Sequence, residues 1–252
     1  MTDRPMPLLA HLGELKRRLI HSVLVLVLTT ALAFAFHRRI LEFLLAPATR
    51  HGLNPYTGGL PVFTDLTELW GVIVKVSVLT GLAFATPFFL FQVARFVSPG
   101  LKTSEKVYLY TLMPAALLAF AAGIAFGYYV LLPPAISFLV TFGGDIATPL
   151  IRIGSYVNLM TMLLFWMGIS FELPIVIFFL TRIGVVTPRF LSKNRRWAIV
   201  LAFVAGAAIT PTFDPVNQSL VAGPLIALYE IGYLLSLIGQ RRRLKAKVGT
   251  QA

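Results

Sequence analysis

The sequence predicts an all-α, polytopic membrane protein with six transmembrane helices and both termini in the cytoplasm. Three observations lead to this fold class. Of the 252 residues, 57% are hydrophobic and only 13% are charged, whereas a soluble domain carries about 25% charged residues. Six separate apolar runs are long enough, or nearly so, to cross a bilayer. Lysines and arginines are concentrated between alternate runs, as the positive-inside rule requires.

The first three predicted spans cover residues 19–36, 70–94 and 107–132. The first contains no acid, lysine or arginine, and a cytoplasmic segment of residues 1–18 precedes it. The second contains one charge, Lys75, which lies close enough to the end of the span for its long side chain to reach the interface. The third contains Pro114, which kinks a helix without preventing it from spanning.

The last three predicted spans cover residues 156–180, 197–209 and 216–238. The fourth contains Glu172 and Pro174, and the sixth contains Pro224 and Glu230. The fifth is short, about 20 Å of helix against a hydrocarbon core of roughly 30 Å. A brief turn joins it to the sixth, which predicts a tight helical hairpin. Residues 239–252 are expected to form a basic cytoplasmic tail, and residues 1–252 a single integral membrane domain.

The distribution of positive charge predicts the orientation. With the N-terminus in the cytoplasm, 17 lysines and arginines fall on cytoplasmic segments and four on outer loops. This bias predicts a multi-pass protein with both ends inside. It also accounts for most of the formal net charge of +12, so the expected partner of these charges is the lipid bilayer and not nucleic acid.

Patterns of enzymes and metal sites are missing from the sequence. All four histidines lie in the first 51 residues, there is no cysteine, and no H-E-x-x-H motif occurs. The segment Gly168-Ile169-Ser170-Phe171 lacks the second glycine of a nucleophile elbow. We therefore expect no enzymatic activity, no catalytic residue, no metal and no cofactor.

The few acidic residues are the most informative candidates for function. On the predicted cytoplasmic side, Glu14 and Glu105 stand among many cations, and a carboxylate there can hold a guanidinium bidentately. Alternatively, Glu14 pairs with Arg18 at i, i+4, and Glu105 stabilises the N-terminal end of the third span. Glu172 lies deep in the fourth span, where a carboxyl group is costly. It either bonds to a neighbouring helix of this chain or serves an intermolecular or pathway role.

Several short motifs follow one another in a characteristic order. They are His11-Leu12-Gly13-Glu14-Leu15-Lys16-Arg17-Arg18-Leu19, Ala46-Pro47, Phe96-Val97-Ser98-Pro99-Gly100-Leu101 followed by Glu105, Ser170-Phe171-Glu172-Leu173-Pro174, Thr210-Pro211 with Asp214, and Tyr229-Glu230-Ile231-Gly232. Over residues 8–240 this order resembles the TatC family, the receptor component of the twin-arginine protein translocase. Each motif alone is weak, whereas their order, spacing and shared six-span plan are specific.

The resemblance implies that the protein binds twin-arginine signal peptides of folded proteins at the cytoplasmic face. It implies signal-peptide contacts at Glu14, Phe96 and Glu105. Lys16 and Arg18 are further candidates, although Lys16 stands where the family usually has arginine and lacks its bidentate fork.

Other matched positions imply roles within the membrane or in the framework. Glu172 matches an intramembrane acid that meets a polar residue of a partner helix. Pro47, placed by the resemblance in the first outer loop, and Pro99, Asp214 and Glu230 are expected to have structural roles.

The resemblance also implies partners, location and energy source. The partners would be TatA/TatB-type single-span membrane proteins and further copies in a larger complex. The location would be the cytoplasmic (inner) membrane, and the proton-motive force would drive export. The alternative is a small-solute secondary transporter or channel that uses Glu172 and the proline-kinked helices, although the chain shows no internal repeat of the kind many transporters have.

Overall fold

The computed structural model describes residues 8–50, 60–100, 103–142, 150–210 and 214–248. These residues form ten α-helices and agree with the predicted all-α class. The helices are α1 (Leu8–Ala35), α2 (His37–Arg50), α3 (Glu68–Val97), α4 (Thr103–Phe126), α5 (Leu132–Thr141), α6 (Ile153–Phe171), α7 (Leu173–Ile183), α8 (Pro188–Lys193), α9 (Arg195–Ile209) and α10 (Pro215–Val248). A 3-10 turn, Ser98–Gly100, follows α3, and a π-helical turn, Gly127–Leu131, joins α4 to α5.

Five helical stretches in the described part of the chain are long and apolar enough to cross a membrane. They are Gly13–Ala35, Glu68–Phe96, Lys106–Thr141, Ile153–Ile183 and Pro215–Gln240. They contain the second, third, fourth and sixth predicted spans, and the first stretch covers all but the last residue of the first predicted span. The predicted fifth span coincides with α9, which has 15 residues and packs against α10 as the hairpin prediction requires. That α9 crosses the bilayer stays a prediction.

In two of the spanning stretches, prolines stand in the first turn of a new helix. The fourth breaks at Glu172, and Pro174 stands in the first turn of α7. Proline has no N–H to donate to the carbonyl four residues earlier, and this missing bond favours the break at Glu172. The third stretch extends beyond the predicted end at residue 132, because the prolines Pro133 and Pro134 occupy the first turn of α5, where proline is tolerated.

The segment after the first span, where the resemblance places Pro47, contains a helix. Pro47 lies inside α2 and is buried. Two tyrosines hold this helix on the bundle: the Tyr128 hydroxyl donates to Phe43 O at 2.9 Å, and the Tyr156 hydroxyl donates to Leu44 O at 3.0 Å. Because α2 is amphipathic, it can cover the bundle with one face while its charges remain exposed.

Close helix crossings determine where the elements lie. An added Cβ at Gly81 of α3 would lie 2.5 Å from Thr30 Oγ1 and 2.6 Å from Thr30 Cα of α1. An added Cβ at Gly123 of α4 would lie 2.5 Å from the backbone oxygen of Met167 in α6. Small residues at such crossings let helix backbones approach closely within a membrane. The Gly81 crossing aligns α1 with α3 and thereby positions the cleft described next.

Candidate functional site

A polar cleft opens between the first turns of α1 and the last turns of α3. Its volume is 390 Å³, and it is lined by Glu14, Arg17, Arg18, His21, Gln92 and Arg95. The α1 residues recur at spacings of three and four, which places them on one face of the helix. The apolar run of α1 begins at residue 19 and that of α3 ends at residue 94. The cleft therefore lies at the boundary between the apolar bundle and its polar end.

Glu14 and Arg18 form an ion pair in this cleft. The Arg18 Nε donates to Glu14 Oε1 at 3.0 Å, and its Nη2 contacts the same oxygen. The Arg18 Nη1 donates to Gln92 Oε1 at 3.2 Å, and Nη2 lies 3.4 Å from Arg95 O. Arg18 therefore links α1 to α3 as well as to Glu14. The i, i+4 pairing expected as the alternative role of Glu14 is present.

Positive charge dominates the rest of the cleft. The His21 Nδ1 lies 2.6 Å from Arg17 O, and the Arg95 guanidinium carbon lies 5.6 Å from the centre of the Phe91 ring. Three arginines face one carboxylate, so the lining carries a net charge of +2 when His21 is neutral. A cation approaching this cleft is repelled unless a carboxylate accepts it directly.

The other predicted signal-peptide contacts are Lys16, Phe96 and Glu105, and Pro99 is the predicted structural residue between α3 and α4. Lys16 is exposed on α1 and does not line the cleft, and Phe96 is half-buried in the last turn of α3. Pro99 lies in the 3-10 turn Ser98–Gly100, and Glu105 lies in the first turn of α4. The side chains of Pro99 and Glu105 lie outside the described residues. Of the predicted set, the structure brings Glu14 and Arg18 together.

Glu172 occupies the break between α6 and α7. Its side chain is buried, with 8% of the residue surface exposed. Its Oε1 has no hydrogen-bond partner among the described residues, and the side chain does not cap α7. A buried carboxyl oxygen without a partner is costly in a membrane. This observation weighs against an intramolecular hydrogen bond of that oxygen.

Glu230 and Asp214 both stabilise the α9–α10 hairpin. The Arg195 Nη2 donates to Glu230 Oε2 at 2.8 Å, and the Arg195 guanidinium carbon lies 4.5 Å from the centre of the Tyr233 ring. Asp214 precedes α10, and its Oδ1 accepts from Asn217 N at 2.7 Å. Such a bond to the third residue of a helix is an N-cap. These contacts fit the structural roles expected for both residues.

Sequence reasoning missed Glu68, the first residue of α3. Its carboxylate accepts from Thr64 N and Gly154 N, each at 2.9 Å, and from Arg152 Nη2 at 3.2 Å. A backbone bridge between Val62 and Arg152 lies beside it. Glu68 therefore joins the segment before α3 to the N-terminus of α6. Two of these partners, Arg152 and Gly154, are more than 80 residues away in sequence, so no local pattern predicts these contacts.

Two cations also have partners that the sequence does not reveal. Arg182 is buried, with its guanidinium carbon 4.3 Å from the centre of the Tyr108 ring and its Nη2 bonded to the Tyr108 hydroxyl. Lys75, expected to extend toward the interface, donates to Asn158 Oδ1 of α6. No group of three or more histidine or acidic side chains that could hold a metal ion occurs in the described part of the chain.

Comparisons with known proteins agree on one family. The family model described as Sec-independent protein translocase protein (TatC) matches residues 10–224. The protein of that name from Carboxydothermus hydrogenoformans is 35% identical, over 94% of this chain and 95% of its own. The one from Aquifex aeolicus is 36% identical, over 94% and 98%. The chloroplastic protein of Arabidopsis thaliana is 34% identical, over 94% and 68%.

A solved structure extends this similarity to the fold. A crystal structure described as that of the twin arginine translocase receptor TatC superposes with a TM-score of 0.81 at 35% identity. The match covers 91% of this chain and 99% of that chain. The two proteins therefore share the same overall fold.

Proposed function

The chain belongs to the TatC family of Sec-independent protein translocase proteins, and from this premise we propose that it binds twin-arginine signal peptides in the α1–α3 cleft. It would act at the cytoplasmic face of the inner membrane and recruit single-span partners for export driven by the proton-motive force. A translocase component is not an enzyme. Membership of the TatC family argues against the alternative function of a small-solute transporter or channel.

The observation that carries the proposal is the bond between Glu14 and Arg18. It demonstrates that the Glu14 carboxylate, in this position, can accept two N–H groups of one guanidinium. A peptide arginine presents the same group. A peptide arginine that displaces Arg18 would form an equivalent ion pair, so the Glu14 carboxylate stays paired during the exchange. Arg18 then retains Gln92 Oε1 and Arg95 O as neutral acceptors.

The positive lining explains how the site would select arginine. A cleft with a net charge of +2 repels unspecific cations, and only a group that binds the carboxylate in a fixed geometry overcomes this repulsion. The planar guanidinium has that geometry, whereas lysine presents a point charge. Exposed leucines on α1, Leu15 and Leu19, offer apolar surface for the hydrophobic part of a signal peptide.

The remaining proposed contacts lie where a bound peptide could continue. Phe96 directly follows Arg95 of the cleft, and Glu105 lies in the first turn of α4, after the 3-10 turn that contains Pro99. Lys16 is exposed on α1, away from the cleft lining. We retain Phe96 and Glu105 as primary contacts and place Lys16 at the periphery.

Partner recruitment is proposed to centre on Glu172. A buried carboxyl oxygen without a described partner would be stabilised by a polar side chain from a second helix. Self-association in a larger complex is supported by α1. Only 6% of its apolar membrane-spanning stretch is buried within the chain, so most of this surface is available to a second copy. The charge bias supports cytoplasmic termini, and the packing of α9 against α10 supports α9 as the fifth of the six predicted spans.

The test compares Glu14→Gln with Glu42→Gln, which removes an acid from another i, i+4 pair, Arg38–Glu42 on α2. The full chain in membrane vesicles is cross-linked to peptides carrying Arg-Arg or Lys-Lys. A hydrogen bond to a charged group contributes about 1.5–3 kcal/mol, and its loss at the lower end of this range corresponds to about tenfold in affinity. We expect cross-linking of the Arg-Arg peptide to fall about tenfold in Glu14→Gln and to be unchanged in Glu42→Gln. Preserved Arg-Arg preference in Glu14→Gln would refute the assignment.

A further inference from the structure

The α1–α3 cleft holds more positive charge than its carboxylate can neutralise. Glu14 is engaged by Arg18, whereas Arg17 and Arg95 have no acidic partner among the described residues. The two arginines come from different helices, and both line the same cleft of 390 Å³. That volume is within the range of small-ligand sites, about 300–1,000 Å³. Clustered cations on a concave surface favour an anion.

The location of the cleft indicates which anion is available. Arg17 stands two residues before the apolar run of α1, and Arg95 stands directly after that of α3. Both guanidinium groups therefore lie at the edge of the hydrocarbon layer, where lipid headgroups lie. Arginine forms two parallel hydrogen bonds to a phosphate, and basic residues at this depth attract anionic lipids.

We propose that the cleft binds the phosphate of an anionic phospholipid, with Arg17 of α1 and Arg95 of α3 as its two ligands. The acyl chains would lie along the exposed apolar surface of α1, where Val23 and Leu24 are half or more exposed. The headgroup would connect the two helices from the lipid side. The proposal does not rest on signal-peptide capture at Glu14.

Native mass spectrometry of the purified full chain in detergent tests this assignment. The chain is titrated with phosphatidylglycerol, with zwitterionic phosphatidylcholine, and with phosphatidylglycerol in the presence of inorganic phosphate. The variant is Arg17→Gln with Arg95→Gln. The matched control is Arg189→Gln with Lys193→Gln, two exposed cations of α8 that do not line the cleft.

The electrostatic contribution of an interfacial arginine corresponds to about fivefold in affinity. We therefore expect phosphatidylglycerol binding to fall roughly 25-fold in the cleft variant and to persist in the α8 control. Binding of phosphatidylcholine should be weak in every protein. Equal loss in both double variants would overturn the proposal in favour of unspecific attraction, and so would displacement of the lipid by millimolar inorganic phosphate.

A single substitution keeps the proposal testable if the double variant misfolds. If the double glutamine variant does not purify as a single species, Arg17→Gln alone replaces it, because the Arg17 side chain is exposed and has no described ion pair. Its expected loss is about fivefold, and unchanged binding would overturn the proposal. Signal-peptide cross-linking of the same proteins is measured separately, so failure of lipid binding and failure of signal capture are distinguishable.

Discussion

Replacing Gly81 by alanine tests whether the α1–α3 crossing positions the cleft. The added methyl group would lie 2.6 Å from Thr30 Cα and 2.7 Å from Thr30 N, whereas carbon atoms in contact prefer about 3.5–4.0 Å. The helices must therefore separate by about 1 Å at this point. Such a shift is enough to break the bond of 3.2 Å between Arg18 Nη1 and Gln92 Oε1.

The matched control is Gly71→Ala on the same helix. An added Cβ at Gly71 meets nothing within 4 Å, so this substitution keeps only the gain of about 0.5–1 kcal/mol that alanine brings to a helix. Gly81→Ala has the same gain but also the cost of overpacking, about 1–3 kcal/mol. The midpoint temperature of thermal unfolding in detergent should therefore be lower for Gly81→Ala than for Gly71→Ala, because only Gly81→Ala carries that cost.

The double variant Gly81→Ala with Thr30→Ala distinguishes contact with the backbone of Thr30 from contact with its side chain. Thr30→Ala removes the hydroxyl that lies 2.5 Å from the added methyl but leaves the backbone contacts at 2.6 and 2.7 Å. We expect it not to restore the stability of Gly81→Ala. If Gly81→Ala unfolds at or above the temperature of Gly71→Ala, the reasoning about this crossing is wrong.

Three further predictions concern the polar residues outside the cleft. Glu172→Ala should reduce cross-linking to a partner helix while leaving signal-peptide cross-linking unchanged; the reverse pattern would contradict the assignment. Arg182→Met should lower the free energy of unfolding by roughly 2–4 kcal/mol, because it removes the stacking on Tyr108 and a charged hydrogen bond, while Arg189→Met on an exposed surface should have little effect in the same thermal assay. Glu68→Gln should speed proteolysis of the segment before α3, since the amide cannot hold Arg152 as a carboxylate does. An unchanged cleavage rate would count against Glu68 as the link between this segment and α6.

Much of the membrane architecture was predictable from local properties. Apolar runs of about 20 residues have few alternatives to a transmembrane helix, because backbone groups in lipid must be satisfied within the segment. The runs around Lys75 and Glu172 were recognised despite their charges. The helix that contains Pro47 was not predictable from hydropathy alone, because its mean hydropathy is low even though its apolar residues share one helical face.

The candidate site was only partly predictable. The spacing of Glu14 and Arg18 predicted their pairing, since residues four apart meet on any helix. The participation of Gln92 and Arg95 was not predictable, because more than 70 residues separate them from Arg18 and only the close crossing at Gly81 brings them near. The family resemblance selected Glu14 but did not indicate the excess positive charge around it.

By itself, the sequence determined the class of the protein, the positions of most spans, the family and the short-range contacts. These depend on composition, hydropathy and helical spacing, which are local quantities. Tertiary structure decided which polar groups meet across helices: Glu68 with Gly154, Arg182 with Tyr108, Lys75 with Asn158. It also decided that Glu172 Oε1 is buried without a described partner. The physical reason is that in a membrane an isolated polar group is costly, and whether it is satisfied depends on atoms that only the packed helices bring together.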